Sequence, residues 1–178
     1  KFTETDARAM ISQLTEGETE LFEKLKPNHY ARRIRSHFAA YSIKYDFARF
    51  YVLRRGEQAV TLISIFNAAM MCADITGQSL TAAEVEELAH FILMNSPYSV
   101  ELDPRYAETL RGLIGKDYSS ELRTEFAYSA RGELPALDVN ECPPLDDVYA
   151  ILKESFPALA DCYELWLTDT SHRVRRGL

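Results

Sequence analysis

The chain has 178 residues, 47% of them hydrophobic and including 10 Tyr, 9 Phe and a single Trp, so it has the apolar mass for a buried core and lies outside the compositions that stay unfolded. Its 20 Lys and Arg against 27 Asp and Glu leave a net charge of −7, which opposes attraction to phosphate backbones and anionic membrane surfaces and excludes nucleic acid as an expected partner. Cys72, Cys142 and Cys162 are odd in number, far apart and without a CxxC spacing, which fits a reducing, cytoplasmic setting better than a disulfide framework.

The first quarter reads as helical, with Thr5 or Asp6 as N-cap, and a clearer helix runs from His29 to Ser42 with Ala31, Ile34, Phe38 and Tyr41 on one face. Arg32, Arg33 and Arg35 fall on its wet side, the alternative being an anion-binding patch. From Phe47 the period changes: FARFYVLR, the turn-like RGEQ, AVTLISIF, then Asn67 and Ala68, then AMMCADI. These are three β-rich runs joined by short connections, a meander whose middle run is apolar on both faces and so belongs at the centre of a covered sheet. The same apolar stretch, Ala59 to Ile75, is interrupted by Thr61, Ser64, Asn67 and Asp74, so it is no membrane span.

TAAEVEELAHFILMN follows, with Val85, Leu88, Ala89 and Ile92 at helical spacing and Thr81 with Glu84 as a capping box. His90 lies off that stripe and has no His or Cys at ligand spacing, so no metal site is expected. YSVEL reads as a short strand, Asp103 and Pro104 open a helix carrying Ala107, Leu110 and Ile114, and Gly115 closes it. LRTEFAY alternates through Leu122, Thr124, Phe126 and Tyr128, as a strand does. Residues 131–144, RGELPALDVNECPP, read as a linker, with a domain boundary near Leu137. Beyond it Leu145, Val148, Tyr149, Leu152 and Phe156 form one amphipathic helix, stopped by Pro157. Two helical segments close the chain, one with Leu159, Cys162, Tyr163 and Trp166, the other SHRVRRG.

Two helices, a three-strand antiparallel meander, a helix, a strand, a helix and a strand is an order that resembles the GNAT fold, the Gcn5-related N-acetyltransferases. The closing run YELWLTDTSHRVRRG is similar to the segment that opens the second unit of tandem GNAT-like bacterial proteins. The resemblance implies an α+β fold with a mixed, mainly antiparallel sheet flanked by helices and followed by extra C-terminal helices. It implies a GNAT-like domain over residues 1–137, and over residues 138–178 the opening helices of a second domain whose sheet is not in this chain. The start at Lys1 fits a piece of a longer protein.

Acetyl transfer to an amine needs a pyrophosphate cradle, a donor that polarises the thioester carbonyl and a route for the ammonium proton. In GNAT enzymes the cradle follows the fourth strand as Gln/Arg-x-x-Gly-x-Gly/Ala, its amides and the helix N-terminus holding the anion. The corresponding stretch here, DITGQSLTAAE, has one glycine, Gly77, no basic residue, and Glu84 already placed to satisfy a helix amide. The expectation is therefore no cofactor-binding residue in this chain and acetyl-CoA bound only in the full-length protein. The Arg173 to Gly177 run precedes any strand of the second unit and cannot be the cradle. Cys162 with His172, and Ser171 with His172, are equally poor nucleophile pairs: Cys162 belongs to an apolar stripe, and adjacent residues point apart.

By the same resemblance the opening helices border the acceptor site, which nominates Tyr163, Trp166, Asp169 and His172 as an aromatic platform and an acid facing an unidentified amine. The structural alternative makes Tyr163 and Trp166 core and Asp169 a helix cap. The function expected is the N-terminal part of an N-acetyltransferase lacking the complete catalytic unit. Its rival is a non-enzymatic interaction or regulatory domain on a degenerate GNAT scaffold. The apolar faces of the C-terminal helices are expected to dock on the first unit or to pair in a homodimer.

Overall fold

The computed structural model describes residues 9–115, 118–124 and 142–178, and the chain divides into two compact units, Lys1–Thr124 and Glu125–Leu178. The expected boundary at Leu137 lies outside the described residues. No helix among those described is long and apolar enough to cross a membrane.

The first unit is built on a five-stranded sheet in the order β1 (Ala9–Gln13), β2 (Ala48–Arg55), β3 (Gln58–Phe66), β4 (Ala69–Asp74), β5 (Ser99–Glu101). Strands β1 to β4 pair antiparallel, and β5 lies parallel to β4 after the crossover helix α3 (Ala82–Asn95). The α+β class and the mixed, mainly antiparallel sheet are as expected. β3 is central and buried from Val60 to Ile65, because its side chains serve two cores at once. On one face Phe50, Val52, Leu62, Met71 and Ala73 meet α1 (Leu21–Lys24) and α2 (His29–Tyr41) through Phe22, Leu25, Ala31 and Ile34. On the other, Leu53, Ile63, Ile65, Met70 and Cys72 meet α3 and α4 (Ala107–Ile114) through Val85, Leu88, Ile92 and Leu110. A register shift between Leu53 and Arg54 puts an extra residue, Val60, into β3 and keeps it in the second core.

Two expectations fail here, and a third, the strand LRTEFAY, lies mostly outside the described residues. Ala9–Gln13 is a strand and not part of a helix. The unpaired edge of β2 and the α3 side of the core, which takes Ala9 and Ile11, override the local preference of five residues. The outward N–H of Ile11 donates to the Glu87 carboxylate at 3.3 Å, so part of this edge is capped by a side chain. Residues 121–124 form no strand and Leu122 is 77% exposed, while Phe126 and Tyr128 lie outside the described residues. Nor are Arg33 and Arg35 merely wet. Arg33 pairs with Glu101 at 2.7 Å, and Arg35 donates to the carbonyls of Phe22 and Leu25, satisfying acceptors left open at the end of α1.

The β3–β4 hairpin turns on Asn67 and Ala68, both with positive φ (47° and 61°). Asn tolerates this region, whereas alanine is strained there. Ala68→Gly is expected to stabilise the first unit by about 0.5 to 1 kcal/mol, raising its melting temperature by a few degrees. An unchanged or lower Tm would show that the turn is not strained.

In the second unit α5 (Leu145–Ser155), a 3-10 turn at Pro157–Leu159 and α6 (Tyr163–Arg175) form a small helical assembly. Tyr163 and Trp166 of the first expected closing segment and Ser171 to Arg175 of the second lie in one continuous helix, with Leu159 in the 3-10 turn before it.

Candidate functional site

Two places carry expectations of chemistry: the connection from β4 to α3, where an anion cradle would lie, and α6, where the four acceptor-side residues lie.

The connection starts with Asp74, whose carboxylate accepts from Thr76 N at 3.1 Å and Gly77 N at 2.7 Å, and Gly77 takes φ +78°, a conformation open to glycine. The capping box at α3 is present: Thr81 Oγ1 accepts from Glu84 N, and Glu84 Oε2 accepts from Thr81 N at 2.7 Å. What sequence reasoning missed is Arg55, from the far end of β2. Its Nε donates to Glu84 Oε1 at 2.7 Å and its Nη2 to Glu84 Oε2 at 2.9 Å. Nη1 reaches Gln78 Oε1 at 3.0 Å and Nη2 also reaches the Ser79 carbonyl at 3.3 Å. Glu84 is 1% exposed. Burial alone would raise its pKa, but the Arg55 hydrogen bonds and the Thr81 amide outweigh burial and hold the carboxyl below its ordinary value.

A second tie closes the same connection from the β5 side. Leu80 N donates to Tyr106 Oη at 2.8 Å and Arg105 Nη1 to Ser79 Oγ at 3.1 Å. Arg105 is itself held by Asp103, whose carboxyl it keeps below the ordinary range. The crevice left between Cys72, Leu80, Leu102 and Tyr106 has about 40 Å³ of open space. That is room for little more than water, against the roughly 300 Å³ or more of ordinary ligand pockets. The Arg55–Glu84 pair occupies the start of α3, and the crevice beside it is too small for a pyrophosphate group. Thr76 and Gln78 of the same connection also line an open groove of about 600 Å³, together with Glu18, Glu20, Lys24, Arg54 and Glu57. Its two cations face carboxylates, Lys24 with Glu20 at 2.7 Å and Arg54 with Glu18. Bonds from Thr15, together with Arg54, hold Glu18 below the ordinary carboxylate range.

On α6 the four nominated residues follow one another every third position and therefore drift around the helix. Tyr163 and His172, nine residues and about two and a half turns apart, lie on opposite sides. Tyr163 and Trp166 both pack on the buried ring of Tyr149, at centroid distances of 4.9 and 5.2 Å. The Tyr149 hydroxyl donates to the Leu159 carbonyl, and Tyr163 donates to Asp146, which raises the phenol's pKa. Asp169 is not a helix cap. It sits inside α6 and accepts from Arg173 Nε at 2.9 and 3.0 Å. Cys162 is half-buried at the N-cap of α6, more open than an apolar core position. Among the described residues no group of three or more His, Cys, Asp or Glu is arranged for a metal ion.

Against protein-family models, curated proteins and solved structures the chain gives no match.

Proposed function

We propose that this chain is the N-terminal part of a GNAT-like N-acetyltransferase in which residues 1–124 are a scaffold without a cofactor site, acetyl-CoA being held elsewhere in the full-length protein. The observation that carries the reading is the β4–α3 connection. It lies where the resemblance puts the cradle, in a mixed sheet of compatible architecture, and it is occupied by Glu84 and Arg55. The second unit contributes acceptor-side surface for an unidentified amine, with Tyr163 and Trp166 supported on Tyr149. The separation of Tyr163 from His172 and the pairing of Asp169 with Arg173 favour a second reading, a non-enzymatic interaction or regulatory domain on the same scaffold.

Calorimetric titration of residues 1–178 with acetyl-CoA should give no stoichiometric heat. Micromolar binding would mean that the connection opens and that the first unit holds the cofactor. A chain extended beyond Leu178, supplied with acetyl-CoA and a panel of amines, should release free thiol. No release and no binding by the extended chain would leave the non-enzymatic reading.

A further inference from the structure

We infer that Glu84 is a built-in oxyanion ligand: its carboxylate fills a seat made by the Arg55 guanidinium and the start of α3, so the β4–α3 connection stands permanently in an anion-bound arrangement. The inference holds whatever the full-length protein catalyses. An ordinary capping box sits at the surface, its glutamate facing water and reaching one backbone amide. Glu84 also takes one backbone amide, but it is buried and takes a guanidinium as well. It is 1% exposed, and both its oxygens are engaged by one guanidinium edge, Nε on Oε1 and Nη2 on Oε2. That two-point fork is how arginine binds carboxylates and phosphates alike. The Thr81 amide adds a third donor at 2.7 Å, at the helix end where the peptide dipoles favour negative charge.

The rim of the seat is ordered as well. Arg55 also donates to Gln78 and Ser79, within the connection itself. One carboxylate therefore joins the β2–β3 hairpin, the connection and α3 through a single cation, a task that a bound anion performs in an open site. Anions from solution meet a seat already taken.

The fragment that Glu84→Ala removes is CH2COO⁻, one hydrogen short of acetate, so acetate is the probe. In the wild-type chain, sodium acetate should shift Tm no more than sodium chloride at equal ionic strength. Glu84→Ala should melt lower in chloride and regain about 3 to 5 °C in acetate at ten times its apparent Kd. Arg55→Ala/Glu84→Ala, lacking the fork, should show no acetate-specific rise. If Glu84→Ala does not fold in chloride, recovery of its circular dichroism in acetate is the same test. Recovery supports the seat and failure to recover overturns it. Acetate stabilising the wild type as much as the variant, no acetate response in a folded Glu84→Ala, or equal rescue of the double variant would each overturn it too.

Discussion

Arg55→Ala is expected to lower the stability of the first unit at neutral pH by about 3 to 5 kcal/mol, because it strands a carboxylate that is 1% exposed. That is a large share of the roughly 5 to 15 kcal/mol that holds an ordinary domain together. Removing both partners should cost less than removing the cation alone, since no charge is then left uncompensated. The pH dependence separates this pair from simple loss of packing. In the wild type Glu84 is held below its unfolded pKa of about 4.3. Its contribution is therefore complete above that pH and lost as the pH falls through the depressed folded value. In Arg55→Ala the bonds and charge of Arg55 are gone and burial is opposed only by the Thr81 bonds, so the folded value rises relative to the wild type and the loss of stability toward acid pH shrinks. Urea titrations of both proteins across the acid range, followed by far-UV circular dichroism, read this directly. Parallel pH profiles would show that Arg55 does not control Glu84.

Tyr149→Ala should disrupt the second unit by about 3 to 4 kcal/mol, since it deletes the ring on which Tyr163 and Trp166 both rest and the hydroxyl that meets the Leu159 carbonyl. Trp166 is the chain's one tryptophan, so its emission reports on this unit and should move to the red. Tyr149→Phe keeps the rings and loses only the hydroxyl bond, about 1 kcal/mol. If the alanine variant left the emission unchanged, the aromatic trio would not be what positions α6.

Much of the sheet was legible because its signals are local. The meander was expected over residues 47–54, 59–66 and 69–75 and is found at Ala48–Arg55, Gln58–Phe66 and Ala69–Asp74. Period two and the turn residues between the runs are enough to place it. Thr81 and Glu84 likewise announce α3 within four residues. β1 was not legible, because AMISQ has too few residues for a period and becomes a strand only by pairing with β2 across the chain. Arg55 escaped for the same reason. It stands 29 residues from Glu84, and nothing local couples a hairpin arginine to a helix cap. The Asp169–Arg173 pair, by contrast, carries a readable signal, opposite charges four residues apart in one helix, which argues against ending a helix between them.

The two-sided packing of the sheet also sorts the cysteines. Cys72 is buried in the α3 face of the core, where burial pushes its thiol up to about 12 and keeps it protonated and unreactive at neutral pH. Cys142 is exposed and Cys162 half-buried, both in the second unit. Thiol-directed fluorophores and spin labels therefore divide the chain without mutagenesis: in the folded protein they mark the helices of the second unit and leave the sheet silent. Delayed labelling of Cys72 then becomes a clock for the opening of the first unit.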